Sequence, residues 1–222
     1  MDRIEHDDAR VIIAGFGRMG NMIGRLLRAN GIKTTVLDLN PDLVDVVRKV
    51  GLKAHYGDAS RLDLLHAAGA EKAEVLILAL DNPAKTVEIA QTARRHFPHL
   101  KVLARVRDRD DGYGLVNLGF EHVYRETFGT ALDMGFEALR QMGFRGHQAY
   151  RAVQSFRQIN EKAFRELARH WGDEKVFLSM LRQKIGEAED SLRDSGLLVQ
   201  SVDHAWDNTP LREAARRGAL KR

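Results

Sequence analysis

The chain has 222 residues, 44% of them hydrophobic, so it can bury the core of one domain of roughly 150 residues and carry a smaller appendage. It contains no cysteine, which excludes disulfides, thiolate catalysis and thiolate metal sites. The 35 basic and 31 acidic residues are interspersed and give a net charge of +4, a pattern that does not favour nucleic-acid binding. No apolar run approaches the roughly 18 residues that span a bilayer, and the acidic first residues are unlike a signal peptide. The composition therefore predicts that this sequence forms a soluble, globular protein.

A glycine-rich turn, Gly15-Phe16-Gly17-Arg18-Met19-Gly20, follows the first predicted strand, residues 10–14. In such a turn the first glycine allows a tight bend, the second lets backbone N–H groups approach a pyrophosphate, and the third lets the next helix pack close to the sheet. The phosphates then lie at the positive end of that helix. The sequence therefore predicts a dinucleotide-binding fingerprint.

Asp38 ends the second predicted strand, residues 34–38, and is placed to accept hydrogen bonds from a ribose 2′-OH. The next two residues, Leu39 and Asn40, offer no cation for a 2′-phosphate. AMP or NAD(H) is therefore the expected nucleotide, in preference to NADP.

Four further strands are predicted at residues 53–56, 74–79, 101–104 and 121–124, and they alternate with helical patterns. This alternation is typical of an α/β fold, a Rossmann-like, doubly wound, parallel six-stranded sheet. Two amphipathic helices, residues 147–170 and 173–193, form a C-terminal helical extension. We divide the chain into a linker (1–9), a Rossmann domain (10–143), the helical extension with dimer and ligand contacts (144–196) and a flexible tail (197–222).

Polar residues follow several strands at the edge where parallel sheets bind ligands. Asp58 is suited both to capping the third helix and to contacting adenine or ribose, and Asp81-Asn82-Pro83 favours an ordinary capped helix start. Arg18 is suited equally to neutralising phosphate and to a solvated position. The candidate cofactor-binding residues are Gly15, Gly17, Arg18, Met19, Gly20, Asp38, Asp58 and Ala59.

Three other polar residues are open to more than one interpretation. Arg25 lies on a polar helical stripe opposite an apolar one, which comprises Met22, Ile23, Leu26 and Leu27. Arg125 follows the sixth predicted strand, where it can reach a ligand or a second subunit. Asn160 interrupts the apolar stripe of the long helix, and needs a partner there, either a register-setting polar contact or a ligand.

The pattern offers no catalytic or metal-binding residue. The nine histidines lack ligand spacing, since Pro98 interrupts the helix that would align His96 with His99. The region after the sheet is too small and too polar to enclose a nicotinamide against a substrate. Ligand sensing is therefore expected rather than catalysis.

The chain resembles the cytosolic KTN (RCK) domain of bacterial Kef glutathione-gated potassium efflux systems, over about residues 10–170. The segments that carry the resemblance are the glycine loop, Val36-Leu37-Asp38, Tyr56-Gly57-Asp58-Ala59, Ala104-Arg105-Val106-Arg107-Asp108 and Arg125-Glu126-Thr127-Phe128. The last of these, followed by the Arg-Gln-Ile-Asn motif (Arg157 to Asn160) of the long predicted helix, is the most specific. The glycine loop alone is shared with many dehydrogenases.

The resemblance implies a homodimer that binds nucleotide at the cytoplasmic face of the inner membrane. This dimer would control a transmembrane domain that precedes it in the chain and carries out potassium:proton antiport. The resemblance also implies inhibition by glutathione and activation by glutathione S-conjugates, with ligand held by Arg25, Arg125 and Asn160 at the dimer interface. Two arginines and an amide suit the two carboxylates and one ammonium of glutathione. An accessory quinone oxidoreductase subunit is a further candidate partner.

Two alternative functions remain open from the sequence. An NAD(H)-dependent oxidoreductase would need a proton donor and an enclosed substrate pocket. A nucleotide-binding regulatory subunit of a potassium uptake system would lack the pairing of Arg125 with Asn160. The homodimer is expected to use the sixth-strand region and the long helix that carries Phe156 and Phe164, because an apolar stripe outside a completed sheet must be covered.

Overall fold

The computed structural model describes residues 9–194 of the chain, which form six strands and eight helices. In chain order these are β1 (Val11–Ala14), α1 (Arg18–Ala29), β2 (Thr34–Asp38), α2 (Pro41–Lys49), β3 (Lys53–Tyr56), α3 (Leu62–Ala67), β4 (Val75–Leu78), α4 (Pro83–His96), β5 (Lys101–Val106), α5 (Arg109–Asn117), β6 (His122–Arg125), α6 (Phe128–Gln141), α7 (Gly146–Ala168) and α8 (Glu174–Asp194). The chain divides into two compact units between Glu126 and Thr127. The predicted tail, 197–222, lies outside the described residues.

The strands form one parallel sheet in the order β3-β2-β1-β4-β5-β6, which confirms the predicted Rossmann-like fold. The order reverses between β1 and β4, where Ile13 pairs with Val36 on one side and with Ile77 on the other. Strand β5 extends two residues past its predicted end. Strand β6 is shifted by one residue, so Arg125 is its last residue and does not follow it.

Alternate residues of the strands face two separate apolar layers. Ile12 and Ala14 pack with residues of α3 and α4, among them Leu65 and Ile89. Val11 and Ile13 face the other layer, which α1 and α2 cover; its buried members include Phe16, Val36, Val44 and Val47. Strands buried on both faces explain the continuous apolar runs in the sequence.

Helix α1 buries only part of the face that its apolar residues predict. Met22 and Leu26 are 69% and 64% exposed, whereas Gly20 and Gly24 are buried. A Cβ on Gly24 would lie 2.7 Å from the ring of Phe16. The helix therefore packs close to the sheet through its glycines, and only part of the predicted apolar stripe reaches the core.

The second unit contains α6, α7 and α8, with α7 packed against both neighbours. The predicted helices of this region agree with α7 and α8 within two residues, while α6 lies in a stretch where the sequence named no element. Phe164 and Leu167 of α7 are buried, and Phe156 remains 37% exposed. Within residues 9–194, no helix combines the length and apolarity needed to cross a bilayer.

Candidate nucleotide-binding site

A cleft of about 500 Å³ opens in the first unit at the carboxyl ends of the strands, where the strand order reverses. Open parallel sheets bind their ligands at this position. Seven of the eight residues that the sequence nominates for cofactor binding line it, namely Gly15, Gly17, Arg18, Met19, Asp38, Asp58 and Ala59. Gly20, the third glycine of the loop, is buried and does not line the cleft.

The three glycines of the loop meet different steric constraints. Gly15 has φ of 87°, and a Cβ there would lie 2.8 Å from the carbonyl oxygen of Ala79. A Cβ on Gly20 would lie 2.0 Å from the carbonyl oxygen of Gly15. A Cβ on Gly17 would meet no atom within 4 Å, so its absence keeps space open above the loop. Gly17 caps α1 without a side-chain hydrogen bond, which leaves N–H groups of the first turn for an anion.

Asp38 fixes the geometry of the loop as well as facing the cleft. Its Oδ2 accepts a hydrogen bond from the backbone N–H of Phe16 at 2.6 Å, and its Oδ1 accepts one from Asn40 at 2.8 Å. The carboxylate is therefore held at the cleft wall by two donors from the loops after β1 and β2. Each oxygen has a further lone pair with which it can accept from a ribose hydroxyl.

Asp58 does not cap helix α3, whose N-cap is Arg61, so the capping alternative for Asp58 is wrong. Its Oδ1 accepts a hydrogen bond from the N–H of Ser60 at 2.9 Å, and its Oδ2 lies 3.0 Å from Nζ of Lys85. Lys85 also donates to Oγ of Ser60 at 3.1 Å. The bond from Ser60 and the Lys85 ammonium hold the pKa of Asp58 below its usual range, so the cleft presents an ionised acceptor at neutral pH.

The predicted helix start after β4 is confirmed. Oδ1 of Asn82 accepts a hydrogen bond from the N–H of Lys85 at 3.1 Å, and α4 begins at Pro83. Asp81 faces the cleft from the same loop. Because Asn82 caps α4, the carboxylate of Asp81 can bind a different partner.

That partner is Arg105, a cleft residue that sequence reasoning missed as a site residue. Its side chain is 7% exposed and donates to Oδ1 of Asp81 at 2.8 Å, to the carbonyl oxygen of Leu80 at 3.1 Å and to Oε2 of Glu126 at 2.5 Å. Oε1 of Glu126 lies 3.8 Å from Nη2 of the exposed Arg18. The sequence did contain a signal for this site. Arg105 lies in an apolar strand, and a buried cation needs anionic partners nearby.

The three candidate glutathione residues lie on different elements. Arg25 is exposed on α1, Arg125 is half-buried at the end of β6, and Asn160 is half-buried on α7 of the second unit. Oδ1 of Asn160 is buried and has no hydrogen-bond partner among the residues that the structure describes. A buried amide oxygen without a partner is unfavourable, which is consistent with either role that the sequence left open.

Between residues 9 and 194, no group of three or more His, Asp or Glu side chains is arranged to hold a metal ion. The parallel sheet with its reversal point, the glycine loop and the acid at the end of β2 define the class of the protein: a Rossmann-type domain.

Comparison with known proteins gives the family. The TrkA-N domain family matches residues 11–126, and the C-terminal domain family of the potassium efflux system KefB matches residues 130–208. The chain belongs to the Kef-type KTN (RCK) domains.

Similar proteins agree with this assignment. The glutathione-regulated potassium-efflux system protein KefC of Escherichia coli is 40% identical over 211 residues, which are 94% of this chain and 34% of KefC. The chain thus spans about a third of the length of the curated relatives it matches. Shewanella denitrificans Kef CTD in its AMP-bound form is 44% identical, with a TM-score of 0.67 over 73% of this chain and 99% of that one. The TrkA-N domain of the Escherichia coli inner membrane protein ybaL is 28% identical, with a TM-score of 0.54 over 57% and 93%.

Proposed function

We propose that this chain is the nucleotide-binding regulatory domain of a potassium efflux system that exchanges potassium for protons. The observation that carries the proposal is the cleft above the glycine loop in a chain of the Kef family. The domain acts at the cytoplasmic face of the inner membrane, joined to a transport domain. It senses ligands and catalyses no reaction.

The nucleotide of the cleft is AMP or NAD(H). A volume of about 500 Å³ lies within the roughly 300–1,000 Å³ that small-molecule sites occupy. The open space over Gly17 and the helix start beside it suit a phosphate, and Asp38 suits the ribose. Asp58 accepts a hydrogen bond from the adenine amino group or the ribose. The AMP held by the Shewanella relative supports an adenine nucleotide in this chain.

Replacing Asp38 by Ala is expected to weaken AMP binding by about 1–3 kcal/mol, because it removes charge-assisted acceptors for the ribose. Isothermal titration calorimetry on the purified chain measures the change. The same substitution also releases the N–H of Phe16, so Asp38→Asn, which keeps one acceptor oxygen, should fall between the parent and the alanine variant.

The exposed Asp45 of α2 supplies the matched control. Asp45→Ala removes one carboxylate away from the cleft and should leave AMP affinity unchanged. Equal affinity of the Asp38 and Asp45 variants would exclude the ribose contact. Steady oxidation of NADH with a small substrate would overturn the regulatory proposal and favour the alternative function, an NAD(H)-dependent oxidoreductase.

Glutathione and its S-conjugates compete for one site formed by Arg25, Arg125 and Asn160. Glutathione carries two carboxylates for the two guanidinium groups and an ammonium or amide hydrogen for the amide oxygen. The buried Oδ1 of Asn160, which has no hydrogen-bond partner within the described part of the chain, supports a ligand there. Glutathione holds transport off, and the bulkier conjugates activate it because they stabilise one gating state more than the other.

Arg125→Ala is expected to reduce affinity for both glutathione and an S-substituted glutathione by about 2 kcal/mol, roughly thirtyfold, since a charge-assisted contact is lost. Calorimetry with AMP present compares this variant with Arg95→Ala, which removes an exposed arginine from α4. AMP affinity should stay nearly constant in both variants. Full glutathione affinity in Arg125→Ala, or no glutathione binding by the parent chain, would overturn the proposed glutathione site. Only the nucleotide-binding function would then stand.

The domain works as a homodimer. The half-exposed Phe156 on α7 supports a symmetric partner that covers this helix. An accessory quinone oxidoreductase subunit completes the set of proposed partners.

A further inference from the structure

A second cleft, of about 400 Å³, lies at the amino ends of β2 and β3, at the edge of the sheet opposite the glycine loop. Its walls are the turns between α1 and β2 and between α2 and β3, together with Ala9, which is separated from β1 by one residue. Three cationic residues line it, Arg28, Lys33 and Lys53. None of the described residues that line this cleft is acidic. It therefore has the charge of an anion-binding site.

Thr34 gives independent evidence for a ligand. The residue lines the cleft and is 4% exposed, and its Oγ1 has no hydrogen-bond partner among the described residues. A buried hydroxyl without a partner costs free energy, so such groups are normally satisfied. A carboxylate in the cleft would accept a hydrogen bond from the hydroxyl of Thr34.

Arg28 is already oriented for this role. One of its guanidinium nitrogens, Nη1, donates to the carbonyl oxygen of Val50 at 3.1 Å, which holds the end of α1 to the end of α2. A guanidinium has five N–H donors, so this bond leaves others for an anion. The cation is thus fixed at the wall of the cleft by a contact that does not neutralise its charge.

We propose that this cleft binds the acidic segment 2–8 of the same chain through its carboxylates. The segment carries four acidic residues, Asp2, Glu5, Asp7 and Asp8, against the single basic residue Arg3, so it is strongly anionic. It joins the chain at Ala9, which is itself a wall of the cleft. A tethered segment has an effective concentration in the millimolar range, which favours it over free anions of similar chemistry. The segment that enters β1 is thereby clamped against the amino edge of the sheet.

A spin label on the segment tests this proposal. Since the chain has no cysteine, His6→Cys gives one site for a nitroxide. At about 0.01 M salt we expect the rotational correlation time of the label to be about twofold or more longer than that of a free segment. At about 1 M salt, where the Debye length falls from about 30 Å to about 3 Å, the label should become mobile.

Substitutions separate docking from general effects of charge. The pair Lys33→Met and Lys53→Met should release the label at low salt. The pair Lys162→Met and Lys175→Met, which removes the same charge from the second unit, should not. Asp7→Asn with Asp8→Asn should also release it, and this variant leaves the folded cleft untouched. A label that is equally mobile in all variants and at both salt concentrations would overturn the proposal.

Free phosphate is the alternative occupant. An NMR titration of the parent chain with inorganic phosphate follows the amides of Thr34 and Lys53. We expect shifts at millimolar phosphate only after the Asp7→Asn and Asp8→Asn substitutions have freed the cleft. Equal shifts with and without those substitutions would identify a site for small anions and exclude the tethered segment.

Discussion

Gly20→Ala is expected to lower the free energy of unfolding by about 3 kcal/mol or more, the upper range for overpacking a buried site. The added methyl group would lie 2.0 Å from the carbonyl oxygen of Gly15, and that atom cannot move aside. Gly15 is fixed by a hydrogen bond of its N–H to the carbonyl oxygen of Leu37 at 2.9 Å, and it already lies close to Ala79. Urea denaturation followed by circular dichroism measures the loss.

Gly17→Ala is the matched control for this prediction. Its methyl group would meet no protein atom within 4 Å, and its φ of −66° is accessible to alanine. Stability should therefore stay within about 0.5 kcal/mol of the parent. AMP affinity should fall, because the methyl group occupies the space proposed for phosphate. A Gly20→Ala chain as stable as Gly17→Ala would show that α1 does not need its close approach to the loop.

The sheet was predictable from the sequence because each strand is a short apolar run between turn or helix signals. Strand β2 matches its predicted limits, since Asp38 and Asn40-Pro41 mark its end by charge and by helix capping. Strand β5 was predicted too short because Arg105 reads as a polar boundary. Its charge is instead balanced by the carboxylates of Asp81 and Glu126, which local sequence does not reveal.

The buried face of α1 was predicted only in part, for a physical reason. Hydrophobic periodicity assigns burial to large apolar residues, and it pointed to the side that includes Met22 and Leu26. The helix instead turns Gly20 and Gly24 toward the sheet, since only residues without a side chain allow so close an approach. Where a helix must pack close to a sheet, its buried positions are glycines, and the periodicity of large apolar residues does not predict them.

The candidate site was also predictable only in part. The glycine loop and Asp38 were predictable because their roles depend on spacing along one βαβ unit. The Asp81, Arg105 and Glu126 cluster was not, because it depends on how β4, β5 and β6 align. Register places Val106 beside Arg125, which brings the next residue, Glu126, to the cleft.

Arg105→Met is expected to lower the free energy of unfolding by about 2–3 kcal/mol, since it removes charge-assisted hydrogen bonds at a buried position. Most of this loss comes from Glu126 and the carbonyl oxygen of Leu80, because the side chain of Asp81 is 85% exposed and its pair is screened by solvent. Arg107→Met, the same change at an exposed residue after β5, should stay within about 0.5 kcal/mol of the parent.

The pH dependence gives a second readout for Arg105→Met. The hydrogen bond and charge of Arg105 hold the pKa of Asp81 below its usual range. A carboxyl group with a lowered pKa stabilises the fold at neutral pH, and that contribution is lost as the pH falls through its folded pKa. The stability difference between the parent and Arg105→Met should therefore narrow on acidification, and the pKa of Asp81 should rise in the variant. NMR titration of the Asp81 carboxyl carbon measures this rise. An unchanged pKa together with a pH-independent stability difference would show that the pair with Asp81 contributes nothing to the effect of Arg105.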